Sequence, residues 1–428
     1  MGVTVPVGLL GCGTVGAATL RLLLDRADDI ERRSGCRIEV VRVAVRDPSK
    51  ARDVPLPADR FTGEPREVVE DPEVRIVVEV MGGTEPAGTL VLDAISAGKH
   101  VVTANKELLA TRGRELFDAA EKAGVALLFE AAVGGGIPLV RPLRESLAGE
   151  RIVRIIGILN GTTNFILTRM HEDRMSFEDA LAEATRLGYA EPDPTADVEG
   201  SDAAAKCAIL ASLAFNTRVV AGDVYREGIT RVTAEDVEFA ERLGYVVKPL
   251  AFAELEDGEV AARVHPAMIP ADHPLAAVRE SFNAAFVEGE AAGEMMFYGR
   301  GAGGEPTATA VIGDIVDAAR HVVHGGIPSG SAAYLDRRVR PMGEMWSQYY
   351  LLLDVPDRSG VLAQVAGAFG EHGVSIKSVW QEGTGEEALL VLITHRANEA
   401  ALQDTVGALE GLDVVSEVRS VMRVEGEE

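Results

Sequence analysis

VPVGLLGCGTVGAATLRLLL, residues Val5–Leu24, decides how the chain begins to fold. Val5–Leu10 is a short apolar run of the kind that forms a strand buried on both faces. It leads into Gly11, Gly13 and Gly16, in G-x-G-x-x-G spacing, and then into an amphipathic helical stretch, Ala17–Ala27. In that setting Gly11 permits the tight turn, Gly13 lets the backbone approach a pyrophosphate, and Gly16 lets helix and strand pack closely. The anion then faces the free N–H groups and positive dipole end of the helix. Gly11, Cys12, Gly13, Thr14, Val15 and Gly16 are therefore candidate dinucleotide contacts. Pro6 is discordant, because proline suits the start of a strand and not its middle.

Working outward, the Val/Ile-rich runs Glu39–Val45, Ile76–Val80, His100–Thr103 and Val125–Glu130 alternate with helical patterns at Thr89–Ala97 and Arg112–Ala123. That alternation predicts βαβ units and a Rossmann-type parallel sheet over residues 1–133, completed by a returning helix near 305–325. The end of the second strand selects the nucleotide: an acid there bonds a ribose 2′-OH, whereas an arginine accommodates a 2′-phosphate. Val45 is followed by Arg46, Asp47 and Lys50. Arg46, supported by Lys50, favours NADP(H) over NAD, with Asp47 keeping NAD as the alternative.

The whole chain has 428 residues, about three domains of roughly 150 residues each. Its 42 basic residues against 67 acidic ones give a formal net charge of −25, a field that argues against nucleic-acid or anionic-membrane partners. An anionic ligand has to be held by a local pocket. Three cysteines, Cys12, Cys36 and Cys207, stand at no paired or metal-ligand spacing, and no apolar run approaches a membrane span. The N-terminus enters a strand without a basic stretch and apolar leader segment, so a soluble cytoplasmic protein is expected.

Residues 134–336 change rhythm. Strands are expected at Arg151–Leu159, Lys248–Leu255, Val260–Ile269, Ala284–Glu290 and Glu294–Tyr298, with helices at Ser176–Leu187, Ser201–Phe215 and Thr307–His321. This is an α+β segment with a mixed or antiparallel sheet, expected to supply the substrate's half of a cleft. A short basic linker, 337–346, leads to residues 347–428. There the order strand (Tyr349–Val355), helix (Gly360–His372), strands (Ser375–Gln381, Ala388–Thr394), helix (Asn398–Leu409) and strand (Asp413–Val424) is a ferredoxin-like βαββαβ unit.

Three stretches carry chemistry. VVTANK sets Thr103, Asn105 and Lys106 past the end of a parallel strand, where open α/β sheets bind ligands; for Lys106 a surface lysine at a helix start reads equally well. EAAVGGGIP follows the next strand, and its carbonyls with the Glu130 carboxylate could hold a hard cation; an ordinary glycine-rich hinge reads equally well. GYAEPDPTADVEGSDAAAKC gathers Glu191, Asp193, Asp197, Glu199 and Asp202 before Lys206. Asp202 and Lys206 fall at i, i+4 on one helical face, which by itself reads as an exposed ion pair. The apolar tail AILASLAF instead buries the helix and puts Lys206 near a cleft, where it can exchange a proton.

The stretch Ala184–Lys206 resembles the signature of homoserine dehydrogenases, and GCGTVG, TANK, EAAVGGGIP, ILNGTTNFIL (Ile158–Leu167) and YGRGAGG (Tyr298–Gly304) resemble the rest of that family in the same order. LLLDVPDRSGVLAQVAGAFGEHGVSIKSVWQ is similar to an ACT domain, an amino-acid-sensing module. The resemblance implies NAD(P)-dependent interconversion of L-aspartate 4-semialdehyde and L-homoserine, on the route to threonine, methionine and isoleucine. It implies Lys206 as proton donor and Lys106 as a second essential lysine beside nicotinamide and substrate. Glu191, Asp197 and Asp202 become substrate ligands, and Thr103 and Gly303 cofactor contacts. Glu130, with the backbone of Val133, Gly135 and Ile137, matches a site for a monovalent cation, Na+. Asp354–Gly360 and Gly373 would line an effector site for threonine, and a homodimer or homotetramer is expected.

Two other readings compete. An aldehyde dehydrogenase that forms a thioester needs a nucleophilic cysteine, and neither Cys12 nor Cys207 is placed for that role. A non-catalytic NADP-bound amino-acid sensor would have no use for Lys106, Asp202 and Lys206. Fusion to an aspartokinase is not expected, since no segment of this sequence is left for a kinase.

Overall fold

The strand Val3–Leu10 lies at the centre of a six-stranded parallel sheet, with Cys36–Ala44 and Phe61–Thr62 on one side and Ile76–Glu79, His100–Thr103 and Leu127–Leu128 on the other. That order reverses direction at the first strand, and such a switch point opens a crevice at the strands' carboxyl ends. Pro6 is tolerated inside this strand. Its carbonyl accepts from Arg75 N–H at 3.0 Å, so its missing N–H faces the side on which Ile76–Glu79 begins pairing only at Val7.

In the computed structural model, which describes residues 2–325, 335–385 and 387–426, the chain forms two compact units. Unit 1 comprises Met1–Ile155, Ala205–Gly222 and Asn283–Arg337; unit 2 comprises Ile156–Ala204, Asp223–Phe282 and Arg338–Glu428. Residues 326–334, which the sequence reading gave to the second segment, and the last two of the third lie outside the described residues.

In unit 1 the sheet is covered by Thr14–Asp25 and by the returning helix Gly304–His324, whose Val311, Ile315, Ala318 and Ala319 share one core with Val5, Val7, Leu9 and Leu20. Lys106–Ala123 starts six residues before the expected Arg112, because Asn105 caps it by accepting from Leu108 N–H at 3.1 Å. The expected strand Val125–Glu130 shrinks to Leu127–Leu128, since Glu130–Ala132 turns into a short 3₁₀ segment.

Unit 2 is built on the hairpin Tyr245–Glu256 and Glu259–Pro270. The last strand, Glu417–Val424, pairs parallel with Glu259–Pro270 and antiparallel with Trp346–Val355, followed by Glu387–Thr394 and Ile376–Thr384. The βαββαβ module is therefore fused edge to edge with the preceding sheet. Both its faces are covered. Tyr349, Leu351 and Leu353 pack on the module's own helices, while Tyr350, Leu352, Val391 and Met422 pack on Phe165, Ile166 and Val237 of the preceding segment. Double coverage explains why YYLLL is continuously apolar instead of alternating. The connector is likewise anchored: Val260 N–H donates to Arg338 O at 2.9 Å, and Arg340 N–H to Val260 O at 2.7 Å.

Candidate functional site

Three glycine loops converge at the carboxyl ends of the parallel strands in unit 1. A Cβ on Gly16 would lie 2.4 Å from Gly11 O, and one on Gly11 2.9 Å from Val80 O, so the first loop requires its glycines. A Cβ on Gly304 would come within 3.1 Å of Thr14 Cγ2, and one on Gly135 within 2.3 Å of Gly301 O. The loops Gly11–Gly16, Val133–Gly136 and Gly301–Gly304 thus lie against one another, and Gly136 N–H donates to Arg300 O at 3.1 Å. Gly13 is different: nothing lies within 4 Å of its missing side chain. The helix behind it has no acid in its first turn and, unlike the helices capped by Asn105, Asn160, Ser176 and Thr233, no side-chain cap. Uncapped N–H groups facing open space fit a pyrophosphate. Gly303, at a φ of 113°, begins the returning helix in the same uncapped way.

At the second strand's end Arg46 and Lys50 are exposed. The Asp47 carboxylate is drawn into its own turn, accepting Ser49 Oγ at 2.6 Å and Ser49 N–H at 2.9 Å, and these bonds hold it below the usual carboxylate range. Arg52, which sequence reasoning missed, bonds Lys50 O and Asp47 O, so the turn carries three cations and an acid already engaged.

Thr103 is fully buried. Its hydroxyl donates to Glu79 Oε2 at 2.6 Å and accepts Asn105 N–H at 3.0 Å, which leaves backbone and not hydroxyl to meet a ligand. Glu79, another residue not singled out from sequence, also accepts Met81 and Gly82 N–H at 2.9 and 3.1 Å. It thereby fixes the turn beside the first loop. Lys106, half-buried, is the first residue of its helix.

The Glu130 carboxylate, read from the sequence as a candidate cation ligand, is engaged by the backbone of the turn that follows it. Its two oxygens accept three backbone N–H groups: Leu139 at 2.6 Å, Val140 at 2.9 Å and Arg141 at 2.8 Å. A buried carboxylate so engaged organises the GGGIP turn. Behind it, Asp314 accepts Glu130 N–H at 2.8 Å and Arg141 Nη2 at 2.7 Å. Burial pushes Asp314 up to about 7, against the pull of that N–H and of Arg141.

In unit 2, the motif ILNGTTNFIL forms the start of the helix Gly161–Glu172. Asn160 caps it, accepting Thr163 N–H at 2.9 Å, and its Nδ2 donates to Asp197 Oδ1 at 2.7 Å and to Asp202 Oδ2 at 2.9 Å. One amide therefore gathers two of the sequence-predicted substrate acids. Asp193 is tied to Thr195 instead, and Glu191 is exposed. The helix Ser201–Ala214, whose residues from Ala205 on are counted in unit 1, carries Asp202 and Lys206 one turn apart, both half-buried. In the C-terminal module Asp354 accepts Arg419 Nε at 2.8 Å, and Asp357 accepts Gln381 Nε2 at 2.9 Å. Gly360, at a φ of 93°, opens the helix Val361–Glu371 without a side-chain cap.

No cysteine is set up as a nucleophile. Burial raises the Cys12 thiol despite nearby Arg52 and Arg21, and Cys36 and Cys207 are buried.

Comparison with known proteins decides the lineage. The homoserine dehydrogenase family model matches residues 138–316, the homoserine dehydrogenase NAD-binding domain 11–130, and the ACT domain 349–414. Homoserine dehydrogenase of Corynebacterium glutamicum is 51% identical over 429 aligned residues, covering 99% of this chain and 96% of that one. The chain belongs to the homoserine dehydrogenase family. The crystal structure of a homoserine dehydrogenase from Thiobacillus denitrificans is matched with a TM-score of 0.93 at 44% identity, over 99% of this chain and 98% of that one. A hyperthermophilic archaeal homoserine dehydrogenase in complex with NADPH matches 74% of this chain and 97% of its own, with a TM-score of 0.63 at 29% identity. As a homoserine dehydrogenase, the chain is an oxidoreductase acting on a CH–OH group with a nicotinamide cofactor. Its reaction is the reversible reduction of L-aspartate 4-semialdehyde to L-homoserine, and it carries an ACT domain of the kind that serves feedback regulation.

Proposed function

We propose that Lys206 Nζ gives its proton to the aldehyde oxygen as that oxygen becomes an alkoxide, and takes one from the alcohol in the reverse direction. The bound nicotinamide supplies or accepts the hydride. An ammonium beside the developing charge both stabilises and protonates it. Lys106, opening a helix past a parallel strand's end, is the second lysine beside nicotinamide and substrate. Asp197 and Asp202, with Glu191, receive the substrate ammonium or hydroxyl. The observation that carries this reading is the Asn160 amide bridging Asp197 and Asp202, one helical turn before Lys206. Two carboxylates held together by a neutral donor are an arrangement for binding a cation such as a substrate ammonium.

NADP(H) is the preferred nucleotide. Arg46, Lys50 and Arg52 surround the second-strand turn, and the one acid in it is turned inward. Na+, if bound, is held by the carbonyl oxygens of Glu130, Val133, Gly135 and Ile137. L-Threonine is the effector of the ACT module, the enzyme is a homodimer or homotetramer, and its free cysteines suit the cytoplasm.

The test is NADPH oxidation with L-aspartate 4-semialdehyde. Lys206→Ala should lower kcat by about 10²- to 10⁴-fold with KM for NADPH unchanged. Near-native turnover in that variant would refute the assignment. Replacing NADPH by NADH, adding L-threonine, and measuring mass by light scattering check the remaining points.

A further inference from the structure

The C-terminal strand carries a buried arginine that the reaction does not use. Arg423 is 5% exposed and makes a forked pair with Glu399, Nε to Oε1 at 2.8 Å and Nη2 to Oε2 at 3.1 Å. Glu399 opens the module's second helix and is 1% exposed. It also accepts Tyr349 OH at 2.8 Å. The third corner of the guanidinium leaves the module: Arg423 Nη1 donates to Glu227 Oε2 at 2.7 Å. The strand itself lies beside Glu259–Pro270, with Arg423 opposite Ala267.

From Glu227 the connection reaches the substrate acids through backbone. Ile229 N–H donates to Val198 O at 2.9 Å. Gly228 presses on the same peptide: a Cβ there would lie 2.4 Å from Val198 O and 2.8 Å from Glu199 Cα. On the other side of Glu227, Arg226 Nη1 donates to Ser201 Oγ at 2.7 Å. The segment Arg226–Ile229 therefore grips residues 198–201, immediately between Asp197 and Asp202. A cavity of about 830 Å³, lined in part by Tyr225, Arg226, Thr230, Gln403 and Arg423, adjoins this segment.

We propose that Arg423 is a positioning residue through which the ACT module sets the substrate loop 197–202, by way of Glu227 and the Gly228–Val198 contact. This rests on the reading of Asp197 and Asp202 as substrate ligands. A shift of the last strand caused by an amino acid bound to the module moves Glu227, and the loop that Gly228 and Arg226 hold moves with it. A purely structural ion pair would stabilise the module and leave substrate affinity alone.

The experiment uses the full-length enzyme and the variants Glu227→Gln, Arg423→Met, both together, and Asp202→Asn. Glu227→Gln leaves the Arg423–Glu399 pair in place, so it keeps the proposal testable where Arg423→Met fails to fold. Glu227→Gln should raise KM for L-aspartate 4-semialdehyde about tenfold, with kcat and KM for NADPH within twofold of native. The double variant should show no larger KM than the single ones, since both break one linkage. Inhibition by L-threonine should weaken in Glu227→Gln to the same degree. An unchanged semialdehyde KM in Glu227→Gln, or effects that multiply in the double variant, would overturn the proposal. An unchanged semialdehyde KM in Asp202→Asn would instead show that the substrate-loop reading beneath it is wrong.

Discussion

Glu130→Gln isolates what the buried carboxylate at the GGGIP turn does. In the native chain its oxygens accept Leu139, Val140 and Arg141 N–H at 2.6, 2.9 and 2.8 Å. With the glutamine oxygen kept toward Leu139 and Val140, two charge-assisted bonds become neutral, a loss of about 1 kcal/mol each. The Arg141 N–H then faces an NH₂ group and loses its acceptor, which costs about 2 kcal/mol more. Against roughly 4 kcal/mol of loss stands one relief. Glu130 is among the groups that raise Asp314, so removing its charge eases ionisation of Asp314. That relief exists only where Asp314 is charged, above its folded-state value of about 7. The destabilisation should therefore be about 4 kcal/mol at pH 5 and about 1 kcal/mol smaller at pH 8.

Trp346 and Trp380, the chain's two tryptophans, both belong to unit 2, so tryptophan fluorescence would miss this change. Urea unfolding followed by circular dichroism, with release of bound NADPH as a second probe, reads unit 1. The chain has two units, so the transition carrying NADPH release is the one to compare. Midpoints unchanged at both pH values would refute the accounting. Native stability combined with loss of Na+-dependent activity would show the carboxylate to be a cation ligand after all.

Two further outcomes follow from buried or exposed cations. Arg46→Ala should raise KM for NADPH about tenfold and leave that for NADH within twofold, measured by initial rates; equal effects on both would remove the 2′-phosphate role. Lys248, 3% exposed, donates to Val278 O at 2.5 Å, and burial, with Arg279 adding to it, lowers its value from 10.5 to about 8. Below pH 8 folded and unfolded chains both keep the proton, and the fold bears the cost of a buried charge. Lys248→Met should then stabilise unit 2 by about 2 kcal/mol at pH 7. The gain should vanish as the native chain gains stability between pH 8 and 10.5, and a loss at pH 7 would contradict the reasoning.

Much of this could be read from sequence because the deciding signals were local. The phosphate loop announces itself within six residues, and His100–Thr103 was delimited by its own apolar run. What escaped lacked a local signal. The helix Gly161–Glu172 went unassigned as an element because it is buried on nearly every side and has no polar stripe to show a period. The contraction of Val125–Glu130 depends on amides nine to eleven residues downstream. Arg423, Glu399 and Glu79 carry charges that a sequence reading assigns to solvent by default, and the bond from Arg423 to Glu227 spans 196 residues. The fusion of the last strand to Glu259–Pro270 is equally non-local. Pairing partners follow from which faces remain uncovered, and only the folded chain shows that.

The distribution of cations gives the site its sharpest logic. Of 42 basic residues only seven are lysines: Lys50, Lys99, Lys106, Lys122, Lys206, Lys248 and Lys377. The buried cations that are each paired with two carboxylates are arginines: Arg263 and Arg423 are each 5% exposed. Guanidinium suits that task, being planar, forked and always charged, and for the same reason it cannot release a proton near neutral pH. An ammonium can. Lys99 and Lys248 are buried as structural donors, to Asp71 O and Val278 O, whereas Lys106 and Lys206 are half-buried within two of the chemistry-bearing motifs. The latter two are explained if the reaction requires a cation that stabilises an alkoxide and then becomes neutral by giving up its proton, which an arginine at 206 could not do.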